Sequence, residues 1–375
     1  MKRVIIIGGG FGGFYLAKRL SKHKLVKIIL IDPKDFFIYK PLIHEVAVGE
    51  IPADTVKISY LESLKNIHHV KLKVKKILFE ENMVILENRK SLKYDYLIVA
   101  SGSNAFFPIK GSEKTLTLNN LYDAIKIKKI LRKSSNKGLK ISLIGEGFTG
   151  TELMAELATW GKKYGEIELH HFLYFKGYFL DKPSYDSIIK KQMKRLGVRV
   201  HLGEPVMEIV NNKIITKKGS YYSDIIFTCT GIKPTTIESD IEFQKGYQIN
   251  EFCEIKGLKN AYAIGDVAKL KFKGGFAPQL GQIAQKEGVF ISKDIIRREK
   301  NKKRVPIKIK IMGIFISIGK FYGVGTILDQ FTLRGLFVWF IKRTYYFLNI
   351  FILKKKLELI KYYLTSLFLS KRYLK

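Results

Sequence analysis

An α/β fold with two Rossmann-like units and an amphipathic C-terminal region is what this 375-residue sequence predicts. Three observations predict it. Two apolar strands each run into a glycine-rich turn and then a helix. The order strand, turn, helix, strand occurs twice along the chain. From residue 331 onwards the chain becomes aromatic and basic.

The first glycine turn is Gly8-Gly9-Gly10-Phe11-Gly12-Gly13, after the apolar run 4–7. The second is Gly145-Glu146-Gly147-Phe148-Thr149-Gly150, after 141–144. Both fit G-x-G-x-x-G. In that pattern the first glycine allows a tight turn, and the second lets the backbone approach a pyrophosphate. The third lets the helix pack closely on the strand. The free N–H groups at the helix start then face the phosphates. One such turn is weak evidence. Two of them, 137 residues apart, point to two dinucleotides in one chain, the arrangement of a flavin enzyme reduced by a nicotinamide.

Residues 2–7 read as a buried parallel strand, 12–21 as a helix and 26–31 as a second strand. That strand ends in Asp32, 19 positions after Gly13, where an acid hydrogen-bonds a ribose hydroxyl. Residues 70–88 alternate like hairpin strands. Residues 95–100 form a buried strand closing on Ser101-Gly102, a turn suited to close cofactor approach. A helix is expected over 118–131. The first pattern then repeats: strand 141–144, helix 151–164, strand 167–173, helix 186–196 and strand 198–202. A further strand over 222–229 leads into Thr230-Gly231. A short strand ends in Gly265-Asp266, a helix covers 277–298, and 307–318 alternates like strands.

Composition bounds the function. The chain is 46% hydrophobic with mean hydropathy near zero, as in globular proteins. Its 67 basic against 33 acidic residues give a net charge of +34. Lysine enrichment throughout the chain accounts for part of this. The rest predicts attraction to polyanions. No nucleic-acid motif accompanies the charge, so an anionic lipid surface is the expected partner. Cys229 and Cys253 lack the spacing of a metal site or a C-x-x-C pair, and no metal constellation is visible. The chain starts directly on a strand, which predicts no signal peptide and a reducing cytoplasm. The longest uncharged stretch of the tail, 344–353, has ten residues, and a membrane span needs about 20. The tail from 331 holds ten Lys or Arg, one acid (Glu358) and twelve aromatics. That mixture suits helices lying in a bilayer interface.

Three further stretches are discriminating: Tyr39-Lys40-Pro41-Leu42-Ile43-His44-Glu45-Val46-Ala47-Val48-Gly49-Glu50, Gly147-Phe148-Thr149-Gly150-Thr151-Glu152-Leu153 with Glu156-Leu157, and Ala263-Ile264-Gly265-Asp266. On these the chain resembles the type II NADH:quinone oxidoreductases, within the flavoproteins that carry two dinucleotide-binding domains. Nearly the whole chain takes part in the resemblance. Disulfide reductases of that superfamily carry a redox cysteine pair soon after the ribose acid, and this chain has none there.

The resemblance implies an FAD domain over 1–110 and 250–305, an NAD(P)H domain over 111–249, and a membrane-anchoring, quinone-side region over 306–375. FAD would be held by Gly8, Gly10, Phe11, Gly12, Gly13, Asp32, Ser101, Gly102, Gly265 and Asp266. NADH, with NADPH open, would be held by Gly145, Gly147, Phe148, Thr149, Gly150 and Gly231. Glu152 would sit near the meeting point of flavin and nicotinamide and is the candidate proton donor, with Glu156 more structural. The quinone motif falls on 281–286, where Gly281 and Lys286 depart from it and Gln282 survives as the candidate contact. The acid expected after 167–170 in the second unit is replaced by His171, which leaves the choice between NADH and NADPH open. The implied activity is a non-pumping NAD(P)H:quinone oxidoreductase on the cytoplasmic face of a membrane. A sulfide:quinone oxidoreductase using Cys229 and Cys253, another flavin reductase, or a non-catalytic FAD-binding protein stand as alternatives. The oligomeric state is open, a homodimer included.

Overall fold

A computed structural model describes residues 1–134, 138–179, 182–272, 275–311, 313–327, 331–350 and 352–368. The elements that position the sites begin with β1 (Lys2–Ile7), α1 (Phe11–Leu20), β2 (Val26–Ile31), α2 (Ile43–Ala47), β3 (Ile67–Val70) and β4 (Tyr96–Val99). Next come α3 (Leu121–Ser134), β5 (Leu139–Ile144), α4 (Phe148–Tyr164), β6 (Ile167–Phe172), α5 (Pro183–Arg195), β7 (Val198–His201) and β8 (Ile225–Thr228). The chain continues with β9 (Ala261–Ala263), α6 (Gly281–Glu299), β10 (Gly313–Ser317), β11 (Gly323–Ile327), β12 (Phe331–Gly335), α7 (Leu336–Asn349) and α8 (Leu353–Phe368).

The chain divides into two compact units. The first comprises Met1–Ile38, Lys57–Asn104 and Lys233–Ile311, and the second comprises Tyr39–Val56, Ala105–Ile232 and Met312–Lys375. The first holds a parallel sheet in the order β9-β4-β1-β2-β3. The second holds a parallel sheet in the order β7-β6-β5-β8. Both have the doubly wound order 3-2-1-4, in which a ligand crevice opens beyond the carboxyl end of the first strand. Val4, Ile5 and Ile6 are wholly buried, and so are Ile141 and Leu143. Such unbroken apolar runs belong to strands covered on both faces.

These bounds differ from those the resemblance implied, for identifiable reasons. Residues 233–249 leave the nicotinamide side because Tyr247–Gln248 pairs with Ala268–Lys269, and Glu238–Ser239 pairs with Lys76–Ile77. Residues 39–56 leave the flavin side because Glu45 on α2 is ion-paired to Arg343 on α7. The tail is not a region apart. Strands β10 to β12 form an antiparallel sheet, and Tyr185 on α5 donates a hydrogen bond to the Ile314 carbonyl at 2.8 Å. Of the predicted strand 307–318, only Gly313–Ser317 is strand among the described residues. Residues 369–375, the end of the predicted basic tail, lie outside the described residues.

Candidate active site

The first unit builds a cradle in which each glycine does separate work. Gly8 has φ +96°, and a Cβ there would fall 2.4 Å from the Ala100 carbonyl oxygen, so β1 and β4 can splay only around glycine. A Cβ on Gly13 would fall 1.9 Å from the Gly8 oxygen, so the start of α1 sits directly on the turn. A Cβ on Gly10 would meet nothing within 4 Å. Gly10 is also the N-cap of α1 and has no side-chain cap, which leaves the first N–H groups of the helix available to an anion. One side of the turn is therefore tight and the other open, as a pyrophosphate requires. Gly288 lets α6 approach α1, since a Cβ there would fall 2.4 Å from the Gly12 oxygen, and a Cβ on Gly12 would fall 2.7 Å from the Ile264 side chain.

Asp32 lies at the end of β2, 4% exposed. Its Oδ2 accepts the Gly9 N–H at 2.7 Å and its Oδ1 the Lys34 N–H at 2.8 Å. Tyr60 donates to the Gly9 carbonyl at 2.9 Å, and burial beside Asp32 holds its phenol far above the ordinary range. Ser101 donates to the Thr235 carbonyl at 2.6 Å, so it ties the turn down. Gly102, with φ +71°, faces open space. Ser103 donates to Asp266 Oδ2 at 2.7 Å, and the Gly265 N–H is bound by Glu287 at 2.7 Å. Gln282 stands half-buried on the first turn of α6. At Gly281 a Cβ would lie 3.3 Å from the Phe11 ring, a tight contact that a small shift of the ring would relieve. Lys286 donates to the Lys310 carbonyl, and burial lowers its pKa.

The second unit repeats the cradle. Gly145 has φ +119°, with a hypothetical Cβ 2.3 Å from the Cys229 oxygen. A Cβ on Gly150 would lie 2.3 Å from the Gly145 oxygen, and one on Gly147 would meet nothing. Gly147 caps α4 without a side-chain bond. Phe148 packs on Phe179 with ring centroids 4.9 Å apart, Thr149 is exposed, and Gly231 turns at φ +115°. Glu168 pairs with Arg199 at 2.6 Å, away from the turn.

The expectation for His171 is corrected. β6 runs to Phe172, and His171 lies inside it, fully buried. Its Nε2–H donates to the Gly145 carbonyl at 2.9 Å, and Nδ1 accepts the Tyr178 hydroxyl at 2.9 Å. Burial pushes its pKa down to about 4. It is a neutral prop beneath the turn and does not read a ribose.

A buried charge cluster occupies the second unit. Glu152, on the first turns of α4, accepts from Lys342 and from the Ser317 N–H at 3.1 Å. Lys342 also donates to Ser317 Oγ at 3.0 Å. His44 Nδ1 lies 3.8 Å from Glu152, and its Nε2 lies 4.0 Å from Glu45. Arg343 donates to Glu45 at 2.8 Å and stacks 3.6 Å over the Trp339 ring. Burial pushes Glu152 up, but the Lys342 ammonium and the Ser317 amide outweigh it, so its carboxyl is held below the usual range. Burial dominates at His44, which stays neutral. Lys342 and Arg343 are 2% and 8% exposed. Within a tail expected to lie in a bilayer interface, these two cations are turned inward, because each neutralises a carboxylate of the same unit.

The comparisons with known proteins agree with this architecture. A family model described as pyridine nucleotide-disulphide oxidoreductase matches residues 2–288. The chain belongs to that family. It is an oxidoreductase whose cofactors are FAD and NAD(P)H. A type II NADH:quinone oxidoreductase of Haemophilus influenzae is 26% identical over 91% of each chain. Ferroptosis suppressor protein 1 of Homo sapiens is 28% identical over 86% of this chain and 88% of its own. In fold, the NDH2 of Plasmodium falciparum, solved in complex with NADH, superposes with a TM-score of 0.85 at 17% identity, covering 97% of this chain and 98% of that one.

Family membership raises the question of a redox thiol pair. Cys229 and Cys253 belong to different compact units and both are free thiols. Burial pushes Cys229 up to about 12 and raises Cys253 as well. Neither is a thiolate at neutral pH, the form that attacks or transfers electrons. Among the described residues no group of His, Cys, Asp and Glu could hold a metal ion.

Sequence reasoning missed Tyr60, Ser103, His44, Glu45, Lys342 and Arg343. His44 and Glu45 lay in a stretch already quoted, but nothing local marks them as buried partners of the tail.

Glu156, one turn beyond Glu152, is 3% exposed, and burial near Glu45 pushes its carboxyl up to about 8. The ordinary value is 4.5. The folded state thus binds a proton that the unfolded state has released between those two values. Stability falls as pH rises through that window, by a few kcal/mol in all. Urea unfolding from about pH 5 to about pH 9 should show this decline. In Glu156→Gln it should become shallower, the remainder belonging to Glu287, whose carboxyl burial also pushes up to about 8, and an unchanged slope would show that Glu156 titrates normally.

Proposed function

We propose that the chain is a peripheral membrane NADH:quinone oxidoreductase. The observation that carries this reading is the pair of open glycine cradles in a chain whose thiols are both held protonated. Electrons that enter through a nicotinamide and a flavin then have no thiolate pair within the chain to go to, and an acceptor from outside the chain takes them.

When bound, the two cofactors supply hydride transfer and two-electron delivery. The protein's part is to hold and to protonate. The uncapped starts of α1 and α4, with Gly10 and Gly147, receive the two pyrophosphates. Asp32 takes the flavin-side ribose, and Gly102, Gly265 and Asp266 line the rest of that cofactor. Reduction of a quinone also consumes two protons, and Glu152, ionised beside Lys342, is the candidate relay that passes them on rather than a resident acid. Gln282 is the candidate quinone contact.

A lipid-soluble acceptor suits the tail. On α8, Leu353, Leu357, Ile360 and Leu364 recur at helical spacing, and each is more than a third exposed. Phe337, Phe340 and Leu348 are exposed on α7. Apolar stripes left in water beside Lys354 and Lys361 fit the interfacial layer of an anionic bilayer. No helix among the described residues is long and apolar enough to cross a membrane. The cytoplasmic face is the side this reading assigns.

The test is an anaerobic titration of the yellow protein with NADH and NADPH, followed by a quinone. The flavin should bleach with NADH and recover its colour with a quinone analogue. Bleaching by sulfide alone, or no bleaching at all, would sink the reading. With quinone supplied in anionic vesicles, Leu357→Asp combined with Leu364→Asp should slow turnover about tenfold or more, from the lost burial of two leucines. A water-soluble quinone analogue should be reduced as before.

A further inference from the structure

The two cradles differ in where their acid stands. In the first unit Ile7 is in register with Ile31, and the Gly8 N–H donates to the Ile31 carbonyl at 2.8 Å. The residue after Ile31 is Asp32. In the second unit Ile144 is in register with Phe172, and the Gly145 N–H donates to the Phe172 carbonyl at 3.0 Å. The residue after Phe172 is Leu173. Leu173 therefore holds the place of Asp32, and it is wholly buried and apolar. Nothing at that place can bond a hydroxyl.

By the same alignment Glu146 holds the place of Gly9. The first unit admits no side chain there, because a Cβ would fall 1.9 Å from the Tyr60 hydroxyl. The bonding is reversed accordingly. In the first unit the strand-end acid accepts the N–H of the turn, Gly9 to Asp32 at 2.7 Å. In the second the acid of the turn accepts the N–H of the strand end, Tyr174 to Glu146 Oε2 at 3.3 Å. A carboxylate thus stands between turn and strand end in both units, supplied from opposite sides. Thr151 steadies the turn by donating to the Glu146 carbonyl at 3.1 Å.

We infer that Glu146 is the residue that selects the nicotinamide dinucleotide, by accepting the adenosine ribose 2′-hydroxyl and repelling a 2′-phosphate. The inference rests on the second turn being the NAD(P)H cradle. Its electrostatic setting is simple. His171, beneath the turn, is neutral and has both ring nitrogens engaged, so it offers a 2′-phosphate no cation. Tyr178 is engaged by that same histidine. Asp186 and Lys190, from α5, neutralise each other at 2.6 Å. Lys176 is an exposed cation of the segment after β6, and its stem lies against Gly203. A competing design is that Lys176 takes the phosphate.

Binding of ADP-ribose and of its 2′-phosphate to the flavin-loaded protein separates these designs without turnover. The wild type should bind ADP-ribose the more tightly. Glu146→Gln should shrink the ratio of the two affinities by about tenfold or more, since it removes a charged acceptor and a repulsive charge together. Lys176→Met should leave the ratio unchanged, and the flavin content should be unaltered in both variants. A wild type that favours the 2′-phosphate, or an unchanged ratio in Glu146→Gln, would overturn the assignment. Failure of both probes to bind the wild type would remove the nicotinamide reading of this turn, and the role of Glu146 with it.

Discussion

Gly10→Val will yield a folded, colourless protein, and Gly147→Val a yellow one that NADH no longer bleaches. Both positions have extended backbone, φ −72° at Gly10 and φ −65° at Gly147, which valine adopts without strain. Both face open space, so the side chain displaces no protein atom. It fills instead the place where a pyrophosphate would approach the helix start, and it denies the phosphates those N–H groups. Hydrogen bonds to charged groups are worth about 1.5–3 kcal/mol each, so affinity should fall at least about a hundredfold. Unfolding of the apoprotein should change little. Gly13→Val is the contrasting control. Its Cβ would strike the Gly8 carbonyl at 1.9 Å, so it should destabilise the unit by about 2–4 kcal/mol as well as expel flavin. Flavin absorbance per protein and a urea midpoint read both effects. A yellow Gly10→Val protein would show that this turn does not hold the flavin.

The cradles were legible in the sequence because everything that defines them is local. A strand, three glycines and a helix lie within about twenty residues, and each glycine answers to one steric demand. Asp32 was legible for the same reason. The ribose position of the second unit was misplaced because it depends on where β6 ends. Strand ends are set by pairing, and the partner of Phe172 is Ile144, far earlier in the chain. Counting the acid from 170, inside the strand, and not from its end at Phe172 put His171 where Leu173 belongs. Tyr60 escaped notice because its contact with Gly9 spans 51 positions. The burial of Lys342 and Arg343 is not legible locally, because an amphipathic helix with basic residues carries no mark of which ones are buried. Only the carboxylates of Glu152 and Glu45, 190 and 298 positions away, make their burial tolerable. Long-range electrostatics, unlike glycine sterics, leaves no local signature.

The second large effect concerns that buried pair. Lys342→Met leaves the Glu152 carboxylate, 14% exposed, with the Ser317 amide and a neutral His44 as its support. Glu152→Gln leaves the ammonium of Lys342 buried without its counter-ion. Each single variant should lose about 3–5 kcal/mol, the cost of an uncompensated buried charge. The double variant removes both charges and should recover most of that loss, since replacing a buried pair together is close to neutral. Stability alone would make the pair a structural device. Catalysis separates the two roles. If Glu152 handles the proton for the acceptor, the stable double variant should still be bleached by NADH at the wild-type rate. Its flavin should then return electrons to a quinone about a hundredfold more slowly, the worth of a positioned group that relays protons. Stopped-flow measurement of the two half-reactions reads this directly. A double variant that is stable and reoxidised normally by quinone would confine Glu152 and Lys342 to holding α4, α7 and β10 together.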